Sequence, residues 1–208
     1  MKKLYAVLFA ALAIVLAACS QDPASSPLET ASFTVSDYEA GSQDVIGYTD
    51  ADVDTWEELE IAQGTISAAG QITLELDPPP ATVLLTYDEV EEEGLSFSDP
   101  SVQVATIDGF NLADGSWINP APLLCYPDCE DHIGESEGLG FIYVDRPVTM
   151  EFNQSYEGGS VVGSFDLAKG WHFLAFQLVD FSEGEESIRV VVAHPNSVEW
   201  EHNVPPTS

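Results

Sequence analysis

Positive charge is what this 208-residue chain has least of. Three lysines and two arginines stand against 36 acidic residues, and Lys2 and Lys3 both fall at the very start. Phosphate backbones are bound chiefly through Lys and Arg, so nucleic acid is excluded as a partner. Anionic lipid headgroups are repelled for the same reason. Cysteine is also scarce, at three residues, which rules out a disulfide-dense scaffold. The longest apolar run, Leu4 to Ala18, is shorter than the roughly 20 residues of a spanning helix. Heptads and fixed-period repeats are missing, which removes coiled coils and solenoids. Low hydrophobicity is missing too: 45% of residues are hydrophobic, so the chain is not disordered as a whole.

The first feature present is the N-terminus. Two lysines precede the apolar run, and the run ends in small residues, the layout of a secretory signal. Leu16-Ala17-Ala18-Cys19 resembles the lipobox of bacterial lipoproteins. That resemblance implies cleavage before Cys19, a lipid on its thiol and an acylated new N-terminus. It places the mature chain outside the cytoplasm, held to a bacterial membrane by its lipid. Removing residues 1–18 leaves Lys169, Arg146 and Arg189 against 36 acids, a formal charge of −33. So acidic a surface favours solubility, or adaptation to salty surroundings where counterions screen self-repulsion.

Residues 19–32 are rich in Ser and Pro without apolar periodicity, and read as a flexible tether. One domain over 33–208 follows, with a possible division into two halves at the Pro-rich stretch 119–129. Its punctuation is that of an all-β protein. Ile72, Leu74 and Leu76 alternate with polar residues, and Ala68-Ala69-Gly70 makes a hairpin turn after Gly64-Thr65-Ile66. Val102 and Val104 mark another strand. Ile142, Val144, Val148, Met150 and Phe152 share one parity, as do Val161, Gly163, Phe165 and Leu167. Trp171 to Phe181 is apolar on both parities, as in a central strand covered on both sides. Ile188 to Ala193 is the last strand expected. The pattern predicts an antiparallel β-sandwich. The acidic runs Asp50 to Glu60 and Tyr87 to Glu93 leave room for one or two short helices.

Two strings carry a resemblance. Gly64-Thr65-Ile66 with Gly70 to Leu76 and the prolines after it is one. Tyr143-Val144-Asp145-Arg146-Pro147-Val148-Thr149, with Leu167 to Trp171 downstream, is the other. Together they are similar to small β-rich bacterial lipoproteins of unassigned function. The resemblance covers about half of the mature chain and implies no catalytic residues.

Several constellations bear on chemistry. Gly134-Glu135-Ser136-Glu137-Gly138 matches the G-x-S-x-G of serine hydrolases, which needs a buried strand, a strained turn and a helix. Here it lies among acidic residues whose carboxylates would oppose an oxyanion, so coincidence is the stronger reading. Cys125 and Cys129, with His132 nearby, offer soft-metal ligands. In an exported protein the pair more readily forms a disulfide across the turn Tyr126-Pro127-Asp128. Asp50, Asp52 and Asp54 repeat the first three positions of a calcium loop. Thr55 and Ile61 stand where that loop needs Gly and Glu, which favours a solvated acidic loop or a helix start.

Trp56, Trp117, Trp171 and Trp200 raise the alternative of sugar stacking. Trp171 reads as core, while Trp117 and Trp200 lie among loop-like residues. His172, His194 and His202 show no triad spacing. The function expected is therefore a non-enzymatic binding or structural role in the cell envelope, without a required cofactor. Polysaccharide or calcium is the alternative ligand, and a hydrolase or redox protein the alternative from another class.

The cysteine reading has a direct test. Intact mass should show two added alkyl groups on Cys125 and Cys129 only after reduction. Closing so short a loop should stabilise by only about 2 kcal/mol.

Overall fold

A computed structural model describes residues 25–50, 58–86, 94–107, 109–121, 133–156, 158–182 and 185–205. The fold is all-β, built from two sheets. The first has seven strands. In spatial order these are β1 (Thr30–Thr34), β4 (Gln71–Glu75), β3 (Glu58–Ile66), β2 (Gln43–Asp50), β8 (Gly109–Leu112), β9 (Trp117–Pro120) and β15 (Trp200–Asn203). The second has eight: β5 (Leu85–Thr86), β7 (Gln103–Ile107), β10 (Ser136–Val144), β13 (Gly170–Ser182), β14 (Glu185–Ala193), β12 (Gly159–Leu167), β11 (Val148–Tyr156) and β6 (Leu95–Phe97).

Strands β10 and β13 explain this arrangement. Phe141 and Tyr143 of β10, with Trp171, Phe173 and Ala175 of β13, point to the first sheet. They meet Phe33, Ile66, Ile72, Leu74, Phe110, Ile118 and Trp200. Phe33 stacks on Trp200 with ring centroids 4.1 Å apart, and Phe141 meets Phe173 at 5.0 Å. The even-numbered residues Ile142, Val144 and Leu174 point the other way, into a second cluster with Val104, Val148, Met150, Phe152, Val161 and Val190. Because side chains alternate across a strand, a sheet apolar on both faces must be covered twice. The first sheet covers one face, and the eight-stranded sheet curls over the other. The long apolar run from Trp171 is thus the central strand expected of it.

Three expectations need correction. Folding into the domain starts before Phe33: Ser25 and Leu28 bridge to Leu167 and Trp171, and β1 begins at Thr30 with Ala31 buried. The alternation Ala31, Phe33, Val35 was the signal, masked by small polar neighbours. The sheet is also mixed, since β12 and β14 run parallel over Gly159–Val162. The tight turn at Ala168-Lys169 joins β12 to β13, yet β14 lies between them in the sheet order. Returning along β13, β14 must then run the same way as β12. Finally, Asp50 and residues 58–60 are strand, not helix. Residues 51–57 and 87–93 lie outside the described set, whose only helical turns are 3₁₀ turns at Ala81–Val83 and Pro195–Ser197.

Glycine 64 is where the first sheet packs most closely. A Cβ there would overlap the Thr73 carbonyl oxygen and lie 2.9 Å from Leu74 Cα. Gly64→Ala should therefore destabilise the fold by about 1–3 kcal/mol through over-packing. Urea unfolding should show a lower midpoint with an unchanged slope.

Candidate functional site

Of the residues singled out from the sequence, Cys19, Asp52, Asp54, Trp56, Cys125, Cys129 and His132 lie outside the described set. Asp50 closes β2. Among the described residues no three His, Cys, Asp or Glu side chains gather as a metal site. Ser136 opens β10, opposite Gln177 of β13. It therefore stands on an extended strand after a turn at Gly134 (φ 94°), not on a strand-to-helix elbow. Trp171 is core as expected. Trp200, read as a loop residue, is core as well, at 1% exposure, its indole N–H donating to Pro195 O at 2.8 Å. Trp117 is half-buried.

The histidines are built into the scaffold. His172 is 1% exposed. Its Nε2 lies 2.7 Å from Ala168 O, an atom that only accepts, so Nε2 carries the proton. Nδ1 is then the acceptor for the Ser25 hydroxyl at 3.0 Å. Burial holds this imidazole below the usual histidine range.

His202 meets the Ser116 hydroxyl at 2.8 Å, and the same hydroxyl donates to Asp114. This Ser-His-Asp grouping was invisible in the sequence, because 86 residues separate Ser116 from His202. It is not a nucleophile arrangement: Ser116 is 1% exposed, and its proton points to the carboxylate. Hydrogen bonds from the Ser116 side chain and backbone hold Asp114 down to about 2. The cluster fastens the β8–β9 turn to β15.

Among the described residues two concave sites stand out. One is a cleft of about 860 Å³ where β12 and β14 cease to pair after Val162 and Arg189. Ser25, Glu151, Asn153, Asp166 and Arg189 edge it, over Phe152 and Val190. The other, of about 390 Å³, lies beside β7 and β10, bounded by the edge strands β5 and β6 and by Thr49 of the first sheet. Leu85 of edge strand β5 and Leu95 and Phe97 of edge strand β6 all line it. Ile107 and Phe141 line it from the first core, Met150 and Leu174 from the second. Thr49 and Thr106 supply the hydroxyls, and no ionisable side chain is among the described lining residues. A bulge at Gly138/Gly140, where Gly140 has φ 140°, disrupts β10 at this wall. Leu139, in the bulge, is 40% exposed at the rim, and Leu85 39%.

No family model, curated protein or solved structure matches the chain.

The buried His172 gives a pH signature. The unfolded imidazole takes up a proton near 6.5 while the folded one resists, so protons favour the unfolded state. The stability from the neutral ring is complete above that pH and is lost as pH falls towards the depressed folded value. His172→Gln should remove this component, which is at most about 1.4 kcal/mol per pH unit. Urea melts at pH 7.5 and 5.5 should show the stability advantage of wild type over the variant shrinking in acid. A pH-independent difference would mean that the ring is not held neutral.

Proposed function

We propose that this is a lipid-anchored, extracytoplasmic binding protein without catalytic chemistry. Its ligand is an uncharged apolar molecule or acyl-chain segment, held in the cavity lined by β5, β6, β7 and β10. The cavity lining carries this reading. Pockets of this size lined by apolar side chains, with a few hydroxyls to orient the occupant, suit small apolar ligands. Leu85 and Leu139 at the rim extend the apolar surface to the outside. The carboxylate-rich surface disfavours anionic ligands. The lipobox-like Leu16-Ala17-Ala18-Cys19 supports the location.

A polysaccharide is the second reading. The cleft between β12 and β14 favours it, because Glu151, Asn153, Asp166 and Arg189 offer hydrogen-bonding groups beside Phe165.

The test uses the neutral fluorophore N-phenyl-1-naphthylamine on the purified protein. Its emission should rise saturably and be competed by long-chain alcohols but not by soluble polysaccharide. Leu139→Glu puts a charge on an exposed rim position, so the fold should persist while affinity falls about tenfold or more, equivalent to about 1.4 kcal/mol. Absence of saturable binding, or equal affinity in Leu139→Glu, would overturn the apolar-ligand reading. In cells, Cys19→Ala should leave the membrane fraction.

A further inference from the structure

The fold takes hold of the chain only six residues after Cys19. Ser25 N–H donates to Asp166 O at 2.9 Å, and Leu28 N–H to Trp171 O at 2.7 Å. The Ser25 hydroxyl engages the buried His172. Pro27 packs against Gly170, where a Cβ would lie 2.6 Å from Pro27 Cβ. Strand register places this attachment at one end of the eight-stranded sheet. Val144 pairs with Gly170 and Val148 with Leu167, so the turns at Asp145–Pro147 and Ala168–Lys169 share that end. The β11–β12 hairpin, where Ser155 pairs with Ser160, forms the other.

From this we infer that the end carrying Lys169 and Arg146 faces the phospholipid headgroups, with the β11–β12 hairpin directed away from the membrane. The inference rests on the lipid-anchor reading. Six residues span at most about 22 Å even when fully extended. A tether running to Phe33 would reach about 50 Å and orient nothing.

Two of the three basic residues of the mature chain, Arg146 and Lys169, are at this end. Arg146 is clasped by Asp145 at 2.9 Å and Asp99 at 3.5 Å, while Lys169 is exposed. Asp99, Asp145 and Asp166 lie at the same end, so the short tether and not charge sets the orientation. The hairpin at Ser155 is seven strand residues from Val148, about 24 Å further out.

The mature chain contains one lysine, Lys169, and a lipidated N-terminus is blocked by acylation. An amine-reactive fluorophore therefore labels the wild-type protein at Lys169. In vesicles of phosphatidylethanolamine and phosphatidylglycerol containing a nitroxide-headgroup lipid, this label should be quenched strongly. Moving the amine to the far end, in Lys169→Gln/Ser155→Lys, should give quenching several times weaker. An insertion of about twenty Gly/Ser residues after Ser20 adds about 25 Å of root-mean-square reach, and should relieve the quenching at Lys169.

Intact mass of the purified protein reads lipidation separately. An unlipidated protein would remove the anchor reading and the inference together. A lipidated protein with equal quenching at both ends, or with quenching unaffected by the insertion, would overturn the orientation alone.

Discussion

Strands β10 and β13 are apolar on both faces, and no single flat layer can satisfy them. Trp171, Phe173 and Phe141 need one cover, while Ile142, Val144 and Leu174 need another. The first sheet supplies one, with Phe33 and Trp200 at its centre. The second comes from the same sheet bending over until its edges, β5 and β6, line one cavity. Two cores separated by one layer of backbone follow from that requirement, and so does the place where packing is incomplete.

The polar groups taken inside are held by partners. His172, Ser116 and the indoles of Trp171 and Trp200 each have a hydrogen bond, as burial requires. Several of these bonds join distant parts of the chain. Trp171 reaches Asp77, His172 reaches Ser25, and His202 reaches Ser116. The Arg146 guanidinium, bonded to Asp145 and to the Ser101 hydroxyl, ties the β10–β11 turn to the segment before β7. One of the few cations in the chain is thus used to fix two loops rather than to bind an anion.

The cavity and the cleft share a cause. Each lies where strand pairing runs out: at the short edges β5 and β6 in one case, and beyond Val162 and Arg189 in the other. Backbone pairing normally excludes space, so unpaired stretches over an apolar core leave room for another molecule. At the cavity the wall is apolar and ends in exposed leucines; at the cleft charged and amide side chains edge an apolar floor. The two sites suit different ligands.

Local alternation and composition determined much on their own. Ile72 to Leu76, Met150 and Phe152, Val161 to Leu167 and the two-faced run from Trp171 were legible as strands, because burial in a sheet imprints a period of two or a continuous apolar run. The acid excess was equally open to reading. Strands β1, β8, β9 and β15 were not. They are four or five residues long and exist because neighbours supply their hydrogen bonds. Trp200 reads as a loop residue until Phe33 stacks on it. Ser25 looks like tether until His172, 147 residues away, bonds its hydroxyl. The cavity belongs to no segment at all. It exists only once two distant sheet edges approach without pairing, and that juxtaposition, set by the closure of the whole sheet, is what tertiary structure alone decides.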